Sequence, residues 1–252
     1  MARILAPLTL VTIILVGWEL ACRLMSVPVY LLPAPSAIAA SLASDWSPLA
    51  AAAWTTLSMA LTALVIASLC ACALALIGGL NPLIEQAVQP IAVTVQVTPV
   101  VAIAPLVMIW TGLDHPGRAI TILATIVAFF PIYSGAAAGL RAADPDLGRL
   151  FDLYGASRWQ KLIRLRLPSA VPFLVEGHKV ATALAVIGAV VAEFVAGSGG
   201  AQGLAWRIIE SANRLQTARV FAALVALAAM ATLLYGLVSL AERKILSWWA
   251  GR

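Results

Sequence analysis

Few residues in this chain have the types and spacing to do chemistry. The only histidines, His115 and His178, lack the cysteine, carboxylate or histidine partners at ligand spacing that a metal or nucleophile-base site needs. There is no G-x-x-x-x-G-K-[ST] phosphate loop and no Gly-Lys pair at all, so the chain is not a P-loop ATPase by itself. No nicotinamide fingerprint occurs either. Cys22, Cys70 and Cys72 are an odd number in or beside apolar segments, without C-x-x-C spacing, and read as small core hydrophobes. We expect no catalysis and no metal site in this chain. What remains is polar groups embedded in apolar sequence: Gln96 and Thr98 beside Pro99, then Glu176, His178, Lys179 and Glu193.

The elements that position them follow from composition. Of 252 residues, 62% are hydrophobic and 11% charged, with a mean hydropathy of +0.99, whereas soluble domains carry about 25% charge. A net charge of +5 spread so thinly makes no nucleic-acid surface and reads instead as a determinant of membrane orientation. At about 20 residues per crossing, the chain has room for six spans and no large soluble domain. The expectation is an all-α, polytopic membrane protein forming one transmembrane domain over residues 1–252, with spans near 6–24, 55–79, 88–112, 117–138, 172–196 and 219–241. The stretch following Arg3 has signal-like hydrophobicity, and Leu20-Ala21-Cys22 has a lipid-attachment look that Glu19 spoils. An uncleaved first span is the simpler reading, given the apolar segments downstream. Pro28, Pro33 and Pro35 preclude a continuous helix after it. The third span contains Pro90, Pro99 and Pro105, so broken backbone is expected there, as at the lining of a pathway. Gln96, Thr98 and Pro99 are its pathway candidates, with helix-helix hydrogen bonding as the alternative.

Residues 141–168 differ in kind. Arg141, Arg149, Arg158, Lys161, Arg164 and Arg166 stand there against Asp144, Asp146 and Asp152. The positive-inside rule puts such a loop in the cytoplasm, and six spans then put both termini there, with ten basic residues inside against five outside. The loop reads as two short helices hinged at Gly155. Asp144-Pro145 starts the first, Ser157 caps the second and Leu167-Pro168 closes it. Trp159 with Ile163, and Leu162 with Leu165, are predicted to form one apolar face, with Arg158 and Lys161 off it. Such a hairpin docks on a partner or lies on lipid headgroups.

Gly155, nine residues, then Leu165-Arg166-Leu167-Pro168 resembles the cytoplasmic loop of permease subunits of binding-protein-dependent ABC importers, whose pattern is Glu-Ala-Ala, three residues, Gly, nine residues, Ile-x-Leu-Pro. Arg149-Leu150-Phe151 stands where the family has Glu-Ala-Ala. Trp18-Glu19-Leu20-Ala21, Leu31-Leu32-Pro33-Ala34-Pro35-Ser36, Thr98-Pro99 with Ile103-Ala104-Pro105-Leu106, Phe129-Phe130-Pro131, Gly139-Leu140-Arg141 and Asp144-Pro145 are similar, in order, to the nitrate, sulfonate, taurine and bicarbonate branch. The run from Lys179 to Phe194 is more similar to importers of thiamine-precursor pyrimidines or riboflavin. The resemblance implies a non-catalytic subunit of the bacterial cytoplasmic (inner) membrane that forms the translocation pathway. Its implied partners are two copies of an ATPase subunit carrying the ATP and Mg, a second copy of the permease, and a periplasmic or lipid-anchored solute-binding protein. It also implies an ATPase-coupling loop that includes Asp152, Gly155, Ala156, Ser157, Arg158, Trp159, Leu165, Leu167 and Pro168.

The charged residues near the spans admit two readings each. Glu176 and Lys179, three apart, suit a local ion pair, and His178 points away from both. Glu193 suits the mouth of a pathway or a pairing with an outer-loop arginine. The loop from Gly197-Ser198-Gly199-Gly200 to Thr217 suits a docking or gating element or a plain surface loop, and its Arg207 and Arg214, with the nearby Arg219, suit anion attraction or simple solvation. An ion-coupled secondary carrier is the competing class, weakened by the lack of an internal repeat. An intramembrane enzyme would need a constellation that His178 lacks.

Overall fold

The computed structural model describes residues 2–112, 114–196 and 202–250. Every element there is helical: α1 (Ala2–Leu24), α2 (Pro35–Ser44), α3 (Trp46–Leu80), α4 (Pro82–Val97), α5 (Val100–Thr111), α6 (Pro116–Arg141), α7 (Pro145–Leu153), α8 (Arg158–Lys161), a π-helical turn (Leu162–Arg166), α9 (Leu167–Ala196), α10 (Leu204–Asn213) and α11 (Thr217–Ala250). The glycine-rich turn from Gly197 to Gly200 and Arg252 lie outside the described residues, as does the side chain of Arg3.

Four stretches are long and apolar enough to cross a bilayer: Trp46–Leu80, Pro116–Arg141, Arg158–Ala196 and Thr217–Trp249. The pair α4 and α5 passes the same test jointly but is bent by 99°, which makes five crossings if it counts as one. Among the described residues, then, four or five of the six expected spans meet that test. The first expected span, 6–24, lies within the 23-residue α1.

Prolines explain where the boundaries differ from expectation. Pro35 does not merely interrupt; it opens α2 at the first helical position, where its missing N–H costs nothing. Pro48 lies in the first turn of α3, so that helix begins at Trp46 rather than near 55. Leu167-Pro168 does not close the second loop helix. The chain stays helical from Arg158 to Ala196, because the π turn carries it into Pro168 with a widened loop, Leu167 N–H bonding Leu162 O. α11 likewise outruns the expected 219–241 at both ends.

The chain divides into two compact units. One comprises Met1–Thr55 and Ala201–Met230. Within it Glu19 accepts from Ser36 N at 2.9 Å and Ser36 Oγ at 2.8 Å, tying α1 to the start of α2. Thr217 Oγ1 donates to Tyr30 O at 2.7 Å, and Trp18 meets Phe221 edge-on with ring centroids 5.8 Å apart. The other unit comprises Thr56–Gly200 and Ala231–Arg252. Its centre is the pairing of α6 with α9, far more extensive than the packing of α4 or α5 on either. Glycines let these backbones touch: a Cβ on Gly135 would stand 2.7 Å from Phe173 O, and one on Gly177 2.7 Å from Pro131 O. Small residues at such contacts are how helices associate in lipid, where burial of apolar surface gives no net drive.

This packing yields a stability prediction. Gly177→Ala drives a methyl into backbone and lowers stability by about 1–3 kcal/mol. Gly236→Ala, with nothing within 4 Å of the new Cβ, is neutral or stabilising by up to about 1 kcal/mol. Thermal unfolding of the purified protein in detergent orders the two variants; equal midpoints would remove the close-contact account.

Candidate functional site

The basic loop folds as a capped helical hairpin. Asp144 Oδ1 accepts from Asp146 N at 2.8 Å, with Pro145 at the first position of α7. α7 ends in a Schellman arrangement: Ala156 N–H reaches Phe151 O at 2.9 Å, Gly155 N–H reaches Asp152 O at 3.0 Å, and Gly155 takes φ +66°. A side chain there would be strained by about 1–2 kcal/mol on conformation alone, although a Cβ would meet nothing within 4 Å. Ser157 and Gln160 then form a capping box on α8, with Ser157 Oγ accepting from Gln160 N at 3.2 Å and Gln160 Oε1 accepting from Ser157 N at 2.8 Å. Lys161 and Asp152 pair across the hairpin.

The single apolar face expected on the second helix is split. Leu162 and Leu165 are buried in the protein, while Trp159 and Ile163 are exposed. At about 3.6 residues per turn the Trp159–Ile163 pair and the Leu162–Leu165 pair centre roughly 110° apart around the helix, so one faces outward when the other is buried. Outward, Leu150, Leu153, Tyr154, Trp159 and Ile163 are exposed among Arg149, Arg158 and Arg164. A hollow of about 310 Å³ opens among them, lined by Leu150, Phe151, Tyr154, Ala156, Gln160 and Arg164. Ala156 is half-buried, and Leu167 and Pro168 lie in the first turn of α9. Of the residues assigned to the ATPase-coupling loop by resemblance, Leu165 alone is buried.

Behind the hairpin lies a cavity of about 450 Å³, bounded by Gly79, Glu85, Tyr133, Arg141, Lys161 and Arg166 among others. Glu85 of α4 and Arg141 of α6 pair beside it. Arg166 Nη1 donates to Gly79 O at 2.9 Å, and Arg158 Nη1 comes to 3.5 Å from Leu80 O. Both carbonyls belong to the last turn of α3, where helix carbonyls lack intrahelical partners and cations are favoured. Sequence reasoning missed these contacts. The signal available was Gly78-Gly79, whose lack of side chains lets the loop approach: a Cβ on Gly79 would meet Leu140 Cδ1 at 3.2 Å and Leu162 Cδ1 at 3.3 Å.

The pathway candidates fall at the break between α4 and α5. Thr98 caps α4 with ψ 124°, as a residue before proline prefers, and Pro99 is the N-cap of α5. Thr98 Oγ1 donates back to Thr94 O at 2.7 Å, while Gln96 is exposed. Glu193 is elsewhere: it is 2% exposed and accepts from Thr56 Oγ1 at 2.7 Å, joining α9 to α3. The expected Glu176–Lys179 pair is present at 3.3 Å, and Lys179 also reaches Glu242 of α11 at 3.2 Å. His178 contacts Leu174 O through Nδ1 and Ser68 Oγ through Nε2, each at 2.7 Å. A carbonyl only accepts, so Nδ1 carries the hydrogen. In the other unit Arg207 and Arg214 both pair with Glu210, and Arg219 pairs with Asp45.

A family model for the binding-protein-dependent transport system inner membrane component matches residues 63–247. Similar proteins include a probable ABC transporter permease protein of Haemophilus influenzae, 31% identical over 92% of this chain and 93% of the relative. A riboflavin transport system permease protein of Chloroflexus aurantiacus is 33% identical over 96% of this chain and 89% of its own length. A formylaminopyrimidine transport permease protein of Halalkalibacterium halodurans is 30% identical over 97% and 96%.

The geometry at Glu193 sets an expectation for variants. Glu193→Gln keeps an oxygen for the Thr56 hydroxyl, whereas Glu193→Ala removes that buried acceptor and leaves a cavity, at about 1–3 kcal/mol. The alanine variant is therefore expected to melt at the lower temperature. If Gln and Ala melt together, the Thr56 contact is not what Glu193 supplies.

Proposed function

Because the chain belongs to the family of binding-protein-dependent transport system inner membrane components, we propose that it is the non-catalytic membrane subunit of an ABC importer, with its basic hairpin seated on a separate ATPase. The observation that carries the reading is the hairpin itself. Its first helix is capped at both ends and its second at its start, the chain turns sharply at Gly155 between them, and the outer surface combines exposed Leu153, Tyr154 and Trp159 with arginines. A fixed surface of that composition suits a protein cleft, since aromatic and arginine side chains dominate interface energetics. The ATP and Mg belong to the partner, and two copies of each subunit assemble with a solute-binding protein that delivers the cargo.

In this reading α1 and the bent α4–α5 pair complete six spans, the hairpin and both termini face the cytoplasm of a bacterial cell, and the break at Thr98-Pro99 lines the route of the solute together with Gln96. Glu193, held by Thr56, supports the bundle around that route. The cargo is a small solute of the kinds named for the relatives. Riboflavin- or pyrimidine-type heterocycles are the first to test, since those relatives are 33% and 30% identical over nearly the whole chain, with taurine, at 28%, and sulfonates and nitrate next.

The test is purification of the tagged chain from its native membranes in mild detergent, with mass spectrometry of its companions. A P-loop ATPase is expected in near-equal amount, lost when Gly155 is changed to Trp, and the chain alone in lipid is expected to hydrolyse no ATP. Uptake driven by an ion gradient in ATP-free vesicles would instead establish a secondary carrier.

A further inference from the structure

The hairpin and the broken helix are separated in sequence, yet a short polar route joins them. We infer that Arg166 is the positioning residue that carries hairpin movement to the α4–α5 break, by holding the C-terminal end of α3. The inference rests on the hairpin engaging an ATPase.

The route begins at the π turn. It joins α8 to α9, and its last residue, Arg166, donates to Gly79 O at 2.9 Å. Arg158, from the first turn of α8, approaches the next carbonyl, Leu80 O. One residue later Asn81 closes α3, its N–H bonding Ile77 O and Gly78 O, and opens α4, its side chain accepting from Leu83 N at 3.0 Å. The corner between α3 and α4 is thus capped from both sides and transmits displacement rather than absorbing it. From there α4 runs 16 residues to Val97, directly before the 99° bend.

A lever also needs a fulcrum and free space. Glu85, in the first turn of α4, pairs with Arg141 at the end of α6, and α6 is locked to α9 by glycine contacts. The first turn of α4 is therefore held to the bundle, while the corner before it is held to the hairpin. The cavity of about 450 Å³ lies between these two attachments, so the hairpin can shift without compressing packed side chains.

The test uses the assembled complex with its ATPase in proteoliposomes, with Cys22, Cys70 and Cys72 replaced by Ala. A nitroxide label is placed at Asp146 on the first helix of the hairpin, its side chain 83% exposed and outside the aromatic docking face, or at Val97 at the end of α4, 71% exposed. The change in label mobility on trapping with ATP and vanadate is read at each position. With Arg166 present both labels respond. In Arg166→Met, which keeps the length but loses the donor, the Asp146 response is expected to persist while the Val97 response falls by about fivefold or more. Arg166→Lys, still able to donate to Gly79 O, restores part of it. A merely structural role would leave the two responses in proportion. An unchanged Val97 response in Arg166→Met overturns the inference, and so does loss of both responses together, which would place Arg166 in docking instead. If neither label responds with Arg166 intact, the ATPase-coupling reading itself fails and the inference goes with it.

Discussion

Backbone contact between α6 and α9 is the constraint on which the second unit depends. At Gly135 and Gly177 the two helices approach so closely that the carbonyls of Phe173 and Pro131 occupy the space of a side chain. Gly139 against Ala170 and Gly188 against Ala124 continue the contact along the same pair. In lipid this dispersion contact, rather than expulsion of water, holds helices together. Its consequence reaches the hairpin directly, since the hairpin is the segment that connects the end of α6 to the start of α9. With both ends fixed, the 25 residues from Ala142 to Arg166 have little choice of path, and their caps and the Gly155 turn settle the rest.

The polar groups inside the spans follow from the same environment. Hydrocarbon offers no hydrogen bonds, so each buried polar side chain needs a partner within the protein. Thr125 donates to Thr121 O within its helix, Ser68 meets His178, and Thr56 meets Glu193. Lys179 is shared between Glu176 and Glu242, on two helices. These pairs tie α3, α9 and α11 together. Their geometry suits fastening, not turnover, because in each case the acceptor or donor is already committed to its neighbour.

How much was legible in the sequence depends on the range of the interaction. Local patterns were legible: Asp144-Pro145 and Ser157 cap the helices they precede, Gly155 turns the chain, and Thr98-Pro99 breaks it, since each acts within about one turn of itself. The spacing of Glu176 and Lys179 gave a true pair, but not its second carboxylate, Glu242, which is 63 residues away in the chain. Thr56 as partner of Glu193 was equally invisible, being 137 residues distant. The division of Trp159 and Ile163 from Leu162 and Leu165 was missed for a different reason. The two pairs were joined into one face although about 3.6 residues per turn sets them roughly 110° apart, and which pair turns inward is decided by packing against other helices.

Charge shows best how composition underdetermines role. Counted along the sequence, the loop arginines and lysine are an orientation signal, and each contributes equally. In three dimensions they divide. Arg141 and Lys161 neutralise carboxylates of α4 and α7. Arg166 and Arg158 answer the unsatisfied carbonyls at the end of α3. Arg149, 81% exposed, has only Asp146, itself 83% exposed, and such a surface pair contributes little. Arg149 and the exposed Arg164, which makes no ion pair among the described residues, are therefore the members of the cluster whose charge is left on the outer surface. Internal fastening and outward-facing charge are thus carried by different members of one basic cluster.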